Sequence, residues 1–292
     1  MPARRRRLSA VITLYFESRF GLARGAVYAG GQPHLYAEGL ENDLSLTRLG
    51  VRSVARLKGR GGGVAFLALA DGAEAVLDAQ QEVMAKLTEG AAVEIEIIAE
   101  ARQDKLARAK FIAAGAGEPR RLSPLLGLRD RLLSQARDLF PDAEIKTSDD
   151  TNLIPDRLDE AETVALAPSG PLPEGGYLSI ERTRALIACD VDAAGGGSGL
   201  SHTPKSFAKA CNERAAAELG RRLRLSGLAG LVVVDLIGNR HDAARLHAAL
   251  RSGFGTDAQN LIIGPVGKFG TLEFIRPWGA CPLMDTLSDP LR

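Results

Sequence analysis

Residues 231–237 read Leu-Val-Val-Val-Asp-Leu-Ile, a run of apolar, mostly branched side chains broken by one carboxylate. Branched residues in near-continuous series suit a strand buried on both faces. Tyr177 to Ile180 and Ala185 to Val191 also read as strands. Between them and the run, Phe207, Cys211, Ala215, Leu219 and Leu223 recur at i,i+4 spacing, which predicts a helix with one apolar stripe. Thr203-Pro204 supplies a cap and a first-turn proline, and Gly227 and Gly230 end the helix. Strand, helix, strand in that order predicts an α/β layer with a covered sheet. A helix from about Asp242 to Leu250 and strands near Leu261 and Leu272 complete this last third.

The rest of the chain is patterned differently. Ser9 to Phe16 and Gly25 to Leu35 are strand-like, with a turn at Gly30-Gly31, and predict a small antiparallel unit. From residue 51, short strands are separated by glycine turns: Val51 to Leu57, Val64 to Leu69, the strictly alternating Val93 to Ile97, and Leu106 to Ile112. That series predicts a small barrel of the OB type. Leu125 to Phe140 has helical spacing, residues 141–175 lack long periodic segments, and Pro168, Pro171 and Pro173 mark a boundary. The partition expected is therefore 1–50, 51–112, 113–170 and 171–292, an α+β chain with an α/β final part.

Asp235 ends the apolar run, and Asp190 ends the strand before it, with Asp192 on the same face by two-residue alternation. An unpaired carboxylate within such a run costs several kcal/mol, so Asp235 is expected to be paired, hydrogen-bonded or on a metal. Two strand ends thus deliver carboxylates that can converge on a hard cation such as Mg²⁺, which takes one or two carboxylates and keeps several waters. Such an ion activates water and offsets charge on a phosphodiester. The same residues also suit plain strand ends or partners for nearby arginines.

Several segments together resemble a known family. Residues 172–186, Leu-Pro-Glu-Gly-Gly-Tyr-Leu-Ser-Ile-Glu-Arg-Thr-Arg-Ala-Leu, lead into Ile187-Ala188-Cys189-Asp190-Val191-Asp192. This is similar to the catalytic segment of the ribonuclease E/G family, with its Gly-Gly strand, Thr-x-Ala-Leu turn and Asp-x-Asn. Asn212-x-x-Ala215 to Leu225, then Leu228 to Asp235, resembles the family's next helix and second metal strand. Lys268-Phe269-Gly270-Thr271-Leu272-Glu273 resembles its Arg-Phe-Gly-x-x-Glu. The resemblance implies an Mg²⁺-dependent endoribonuclease acting on single-stranded RNA, with Asp190 and Asp235 as catalytic metal ligands. Asp192, at the family's Asn, is an additional ligand or an outer-shell acceptor. It implies an S1-type OB barrel inserted in a small RNase H-like unit, followed by a DNase I-like catalytic subdomain. Phe66 falls on the family's first stacking aromatic and Lys105 on its RNA-contacting lysine, while Val76 replaces the second aromatic. Lys205, Asn212, Arg221, Arg222, Arg224 and Lys268 are expected on the RNA side.

Departures narrow these expectations. The insert that senses an RNA 5′ end is absent between Lys110 and Leu122. The zinc-linking Cys-Pro-x-Cys reads Cys281-Pro282-Leu283-Met284, and Met does not replace a thiolate, so no zinc is expected and a homodimer stays open. The formal net charge of +1 excludes a global positive field, so nucleic acid must be met by local patches. One such patch is Arg4 to Arg7, as a phosphate-touching arm or a frayed end. Three unpaired cysteines suit a reducing cytoplasm, and no apolar run reaches the length of a membrane span. An alternative is an RNA-binding or ribosome-associated protein with little or no nuclease activity. A third is nucleotide binding at the glycine loop 195–199, but neither GxxxxGK[ST] nor GxGxxG is present, so no nucleotide cofactor is expected.

Overall fold

The computed structural model describes residues 11–61, 64–102, 105–193 and 205–287. The arginine run 4–7, the glycine loop 195–199 and the helix start Thr203-Pro204 lie outside the described residues. Contacts divide the chain into two compact units, one from the beginning through Glu41 plus Gly127–Pro277, the other Asn42–Leu126 plus the segment from Trp278.

The first unit opens with β1 (Ile12–Arg19), β2 (Leu22–Ala29) and β3 (Gln32–Leu40), paired antiparallel in chain order. The expected reversal at Gly30-Gly31 is present, with both residues at positive φ. The second strand-like run of the sequence is thus two strands split by that turn. The β1–β2 turn, Phe20-Gly21, also has positive φ, and Phe20 is 91% exposed with the Arg19 guanidinium 5.0 Å from its ring centroid.

The second unit follows: β4 (Arg52–Gly61), β5 (Val64–Ala68), β6 (Glu74–Asp78), α1 (Gln81–Lys86), β7 (Ala92–Ala99), β8 (Ala107–Ala114) and the short β9 (Arg120–Arg121). β4 pairs with both β5 and β7, β5 with β6, β6 with β8 and β8 with β7, so five strands close into an OB-like barrel. Small and branched residues alternate inward, among them Ala55, Leu57, Ala65, Leu67, Leu77, Val93, Ile95 and Ile97. β6 carries a turn-flanked Glu-Ala-Val-Leu-Asp that the sequence pattern missed.

The chain then returns to the first unit with α2 (Leu128–Leu139), β10 (Ile145–Thr147) and α3 (Leu153–Leu166). The Leu128 N–H donates to Glu41 O at 2.8 Å, closing the point where the barrel is inserted. β10 lies parallel on β1. Leu128, Leu132 and Ala136 of α2 pack with Ile12, Leu14 and Val27 on one face of this sheet. Ile154, Leu158 and Ala161 of α3 pack with Ala26 and Tyr28 on the other. α3 corrects the expectation that 141–175 holds no long periodic segment.

The remaining elements are β11 (Gly170–Pro171), β12 (Tyr177–Arg182), β13 (Ile187–Asp192), α4 (Lys205–Ser226), β14 (Gly230–Asp235), α5 (Ala243–Phe254), a 3-10 turn (Gly255–Asn260), β15 (Ile262–Ile263), β16 (Thr271–Arg276) and α6 (Leu283–Leu287). The sheet order is β11-β12-β13-β14-β16-β15, with β13 and β14 parallel across α4. α4 and α5 cross closely because both contribute glycine. A Cβ on Gly220 would sit 2.2 Å from the Gly253 carbonyl carbon. Their apolar faces cover Leu178, Ile187, Cys189, Val232, Val234, Leu272 and Phe274. The covered sheet expected from the sequence is therefore covered on one face. The other leaves Leu231, Asp235 and Ile275 exposed and Val233 partly so, because β14 alternates in burial rather than being buried throughout.

A buried ionic knot ties α4 to its surroundings. Glu218 takes both Arg221 and Arg222. Arg221 also donates to Pro33 O at 3.0 Å, and Arg222 to Pro168 O, Gly170 O and Pro171 O at 3.0, 3.1 and 2.6 Å. Burial pushes the Glu218 carboxyl up, but the two guanidiniums outweigh it and hold it below the usual carboxylate range. Its charge therefore contributes stability that is present above the unfolded-state pKa and is lost as pH falls through the lower folded value. Glu218→Gln is expected to cost about 3–5 kcal/mol, since it strands two buried cations. Urea denaturation at pH 7 and in acid checks this, and the deficit should shrink as wild-type Glu218 itself protonates.

A carboxylate row on an open sheet face

The Gly-Gly and Thr-x-Ala-Leu motifs build the hairpin that presents the first carboxylate. Gly176 has φ of +98°, and a Cβ there would meet Cys211 Sγ at 2.4 Å, so glycine lets β12 pass close over α4. At the hairpin, Thr183 Oγ1 donates to Leu186 O at 2.7 Å and accepts from the Ala185 and Leu186 N–H groups at 3.3 and 3.1 Å. Asp190 follows on β13.

In the parallel pairing of β13 and β14, Asp190 stands directly opposite Asp235. The row extends on both sides, with Ser179 opposite Asp190 and Thr271 opposite Asp235. Asp192 lies opposite Tyr177. Neighbouring strands run about 4.8 Å apart, so paired side chains on one face are adjacent. Asp190, Asp192 and Asp235 are all exposed. The desolvation expected for Asp235 does not arise, because it occupies an open-face position at the end of its strand. Lost hydration, then the negative charges of Asp235 and Asp192, lift the Asp190 carboxyl above its usual range, against a hydrogen bond from the Val191 backbone.

The second strand end is fixed by Asn212. Buried to 2% exposure, its side chain donates to Ile237 O at 3.1 Å and accepts from Ile237 N–H at 3.0 Å. It is thus a brace for the segment after Asp235, with its amide already taken, rather than an RNA contact. Arg221, Arg222 and Arg224 depart from expectation in the same way. Arg221 and Arg222 are bound in the knot, and Arg224 donates to Asp257 at 3.0 Å and to Gly253 O and Phe254 O at 3.3 and 2.9 Å. Apart from Glu218, one turn earlier on α4, their partners lie far along the chain or on backbone carbonyls, so a basic helix face in the sequence carries little sign of them. Lys205 and Lys268 are exposed. Residues that sequence reasoning passed over are Ser179 and Thr271, which flank the carboxylates, and Phe269, 94% exposed beside Lys268. The quoted Lys-Phe-Gly triplet was the available signal for Phe269.

On the barrel, Phe66 is half-buried on the outer surface, paired with Val76, which pairs in turn with Arg108. Lys105 is exposed, its backbone paired with Arg102. Nearby cations are partly balanced: Lys58 pairs with Glu74, Arg108 with Asp78, and Lys110 with Glu96 at 3.1 Å.

As donors, Asp190 and Asp235 fit a hard divalent cation: oxygen ligands only, side by side, open to water, and mutually repelling until a positive charge offsets them. Among the described residues no group of three or more His, Cys, Asp or Glu is gathered as a metal cluster, so two carboxylates plus water is the set available.

Two outcomes follow for the unliganded protein. Asn212→Ala is expected to cost about 2–3 kcal/mol in denaturant unfolding, because it leaves the Ile237 N–H and C=O without their partner. Asp190→Asn is expected to raise the Tm at pH 7 by about 1 °C, discounted for solvent screening. That gain should vanish as pH falls and wild-type Asp190 takes up its proton, which differential scanning calorimetry reads.

Comparison with known proteins agrees with these segments. The Ribonuclease E/G family profile matches residues 141–278. Ribonuclease E of Nostoc sp. is 34% identical over 122 residues, 41% of this chain and 18% of that protein. Ribonuclease E of Escherichia coli is 36% identical over 108 residues, 36% of this chain and 10% of that protein. A chloroplastic ribonuclease E/G-like protein of Arabidopsis thaliana is 27% identical over 108 residues, 36% of this chain and 11% of that protein. The chain thus spans less than a fifth of the length of these relatives. Through residues 141–278, the segment that carries the carboxylate row, this chain is similar to the ribonuclease E/G family.

Proposed function

We propose that this protein is an Mg²⁺-dependent endoribonuclease that cleaves phosphodiester bonds of single-stranded RNA in the cytoplasm. The observation that carries this is the parallel register of Asp190 with Asp235 on an open sheet face. Two relatives carry the printed name ribonuclease E. Asp190 and Asp235 would hold the cation, with Asp192 beside them. When bound, the cation lowers the pKa of a coordinated water and offsets charge on the phosphodiester. The chain's own part is to fix two carboxylates at strand ends, to brace the second through Asn212, and to keep the face open to a polymer.

The barrel is the S1-type grip in this proposal. Phe66 stacks on a base and Lys105 meets phosphate, each stacked base adding about 1–3 kcal/mol. Val76 in place of a second ring makes that grip weaker. The four-stranded sheet with α2 and α3 on its two faces is taken as the RNase H-like unit, and the last six-stranded sheet as the DNase I-like catalytic subdomain. With Met284 where a second thiolate would be needed, the proposal includes no zinc link.

A second possibility is an RNA binder of the same fold with little or no cleavage. The lack of a third clustered carboxylate among the described residues favours it. Labelled single-stranded RNA incubated with Mg²⁺ or with EDTA separates the two. Cleavage is expected with Mg²⁺ alone, and Asp235→Asn is expected to lower its rate by about 10²–10³-fold while leaving RNA affinity near wild type. Equal rates for wild type and variant would defeat the metal role.

A further inference from the structure

Phe269 is 94% exposed, yet its turn is tightly braced. Gly267 N–H donates to Thr271 O at 2.7 Å, and Gly270 N–H to Gly267 O at 3.1 Å. Leu236 N–H, directly after Asp235, donates to Gly270 O at 3.2 Å. A Cβ on Gly270 would lie 3.1 Å from Gly238 O and 3.2 Å from His241 Nε2, so the turn sits against the segment 238–241. His241 Nε2 is itself 2.9 Å from Gly238 O. Two loops that emerge beside Asp235 are therefore locked together, and they hold an aromatic ring out in water. That ring adds nothing to the core, although burying a Phe is worth about 1.5–3 kcal/mol. Lys268 and Arg240, one on each loop, are exposed, and neither has an ion-pair partner among the described residues.

An exposed ring on a pair of joined loops that also carry two exposed cations matches the chemistry of single-stranded nucleic acid, whose bases offer π faces and whose backbone offers phosphates. We infer that Phe269 stacks on one base of the RNA, with Lys268 and Arg240 on the adjoining phosphates. Together they form a rim that positions the chain over the carboxylate row. The inference deepens the nuclease proposal and rests on RNA being the ligand. Phe269 acts as a positioning residue, so its loss should appear in binding and KM more than in kcat.

The test uses the full chain and a fluorescently labelled single-stranded oligoribonucleotide, titrated in EDTA for affinity and with Mg²⁺ for kinetics. Phe269→Ala is expected to weaken binding by about 5- to 150-fold and to raise KM by a similar factor, with Phe269→Tyr restoring most of both. Phe20→Ala, which removes the equally exposed ring of the β1–β2 turn, should change neither. In a series of oligonucleotides with one abasic position each, wild type should lose affinity at one position where Phe269→Ala loses nothing more, the non-additivity expected of partners in contact. Unchanged affinity in Phe269→Ala, or abasic losses that simply add to its own, would overturn the inference. So would a changed oligomer mass with RNA affinity intact, which would make the ring a protein contact. Phe269-dependent binding without cleavage would keep the inference and remove the nuclease. Asp235-dependent cleavage without Phe269 dependence would do the reverse, and no RNA binding by wild type would end both.

Discussion

Glu218 holds the first unit together. One carboxylate on α4 takes two guanidiniums, which reach to the carbonyl of Pro33 at the start of β3 and to the Pro168–Pro171 segment that leads into β11. Buried charges are costly, and what offsets them here is saturation: the guanidinium donors end on the carboxylate or on backbone carbonyls. The knot sets where α4 lies, and α4 is the crossover that makes β13 and β14 parallel. The pairing of Asp190 with Asp235 is thus downstream of a buried cluster of charges.

The carboxylate row has the opposite character. Its carboxylates are exposed, alike in sign and placed side by side by backbone hydrogen bonds, so the fold imposes a repulsion that adds to lost hydration in raising the Asp190 pKa. Such tension is stable only because neighbouring parts over-determine the geometry: the Thr183 hairpin on one side, the Asn212 amide on the other, and the apolar packing of α4 and α5 beneath. Stability is spent at the row and regained around it, as is usual at sites shaped for a ligand.

Much of this was legible in the sequence, and the failures have physical causes. The barrel strands alternate visibly, and the i,i+4 stripe of Phe207 to Leu223 marks α4. α3 was missed because two of its buried positions, Ala161 and Ala165, are too small to stand out among charged neighbours. Asp235 looked buried because branched residues on both faces of β14 hide the fact that Leu231 and Val233 face an uncovered side. The helix arginines looked like phosphate ligands because a guanidinium shows its charge in sequence but not its partner, and Pro33 is 188 positions away from Arg221. Asn212 was singled out correctly and given the wrong work, since an amide that braces a backbone and one that greets a ligand look alike in one dimension.

The single hydrogen bond from Leu128 to Glu41 has a consequence of its own. It brings the two ends of an eighty-odd-residue excursion to neighbouring points, so the host sheet closes whether the excursion is long or short, with only a slow logarithmic dependence on its length. An excursion closed at such a neck can be lengthened or trimmed with little strain on the strand and helix that it leaves and rejoins. The barrel and the sheet that carries the carboxylates are then free to evolve on separate clocks.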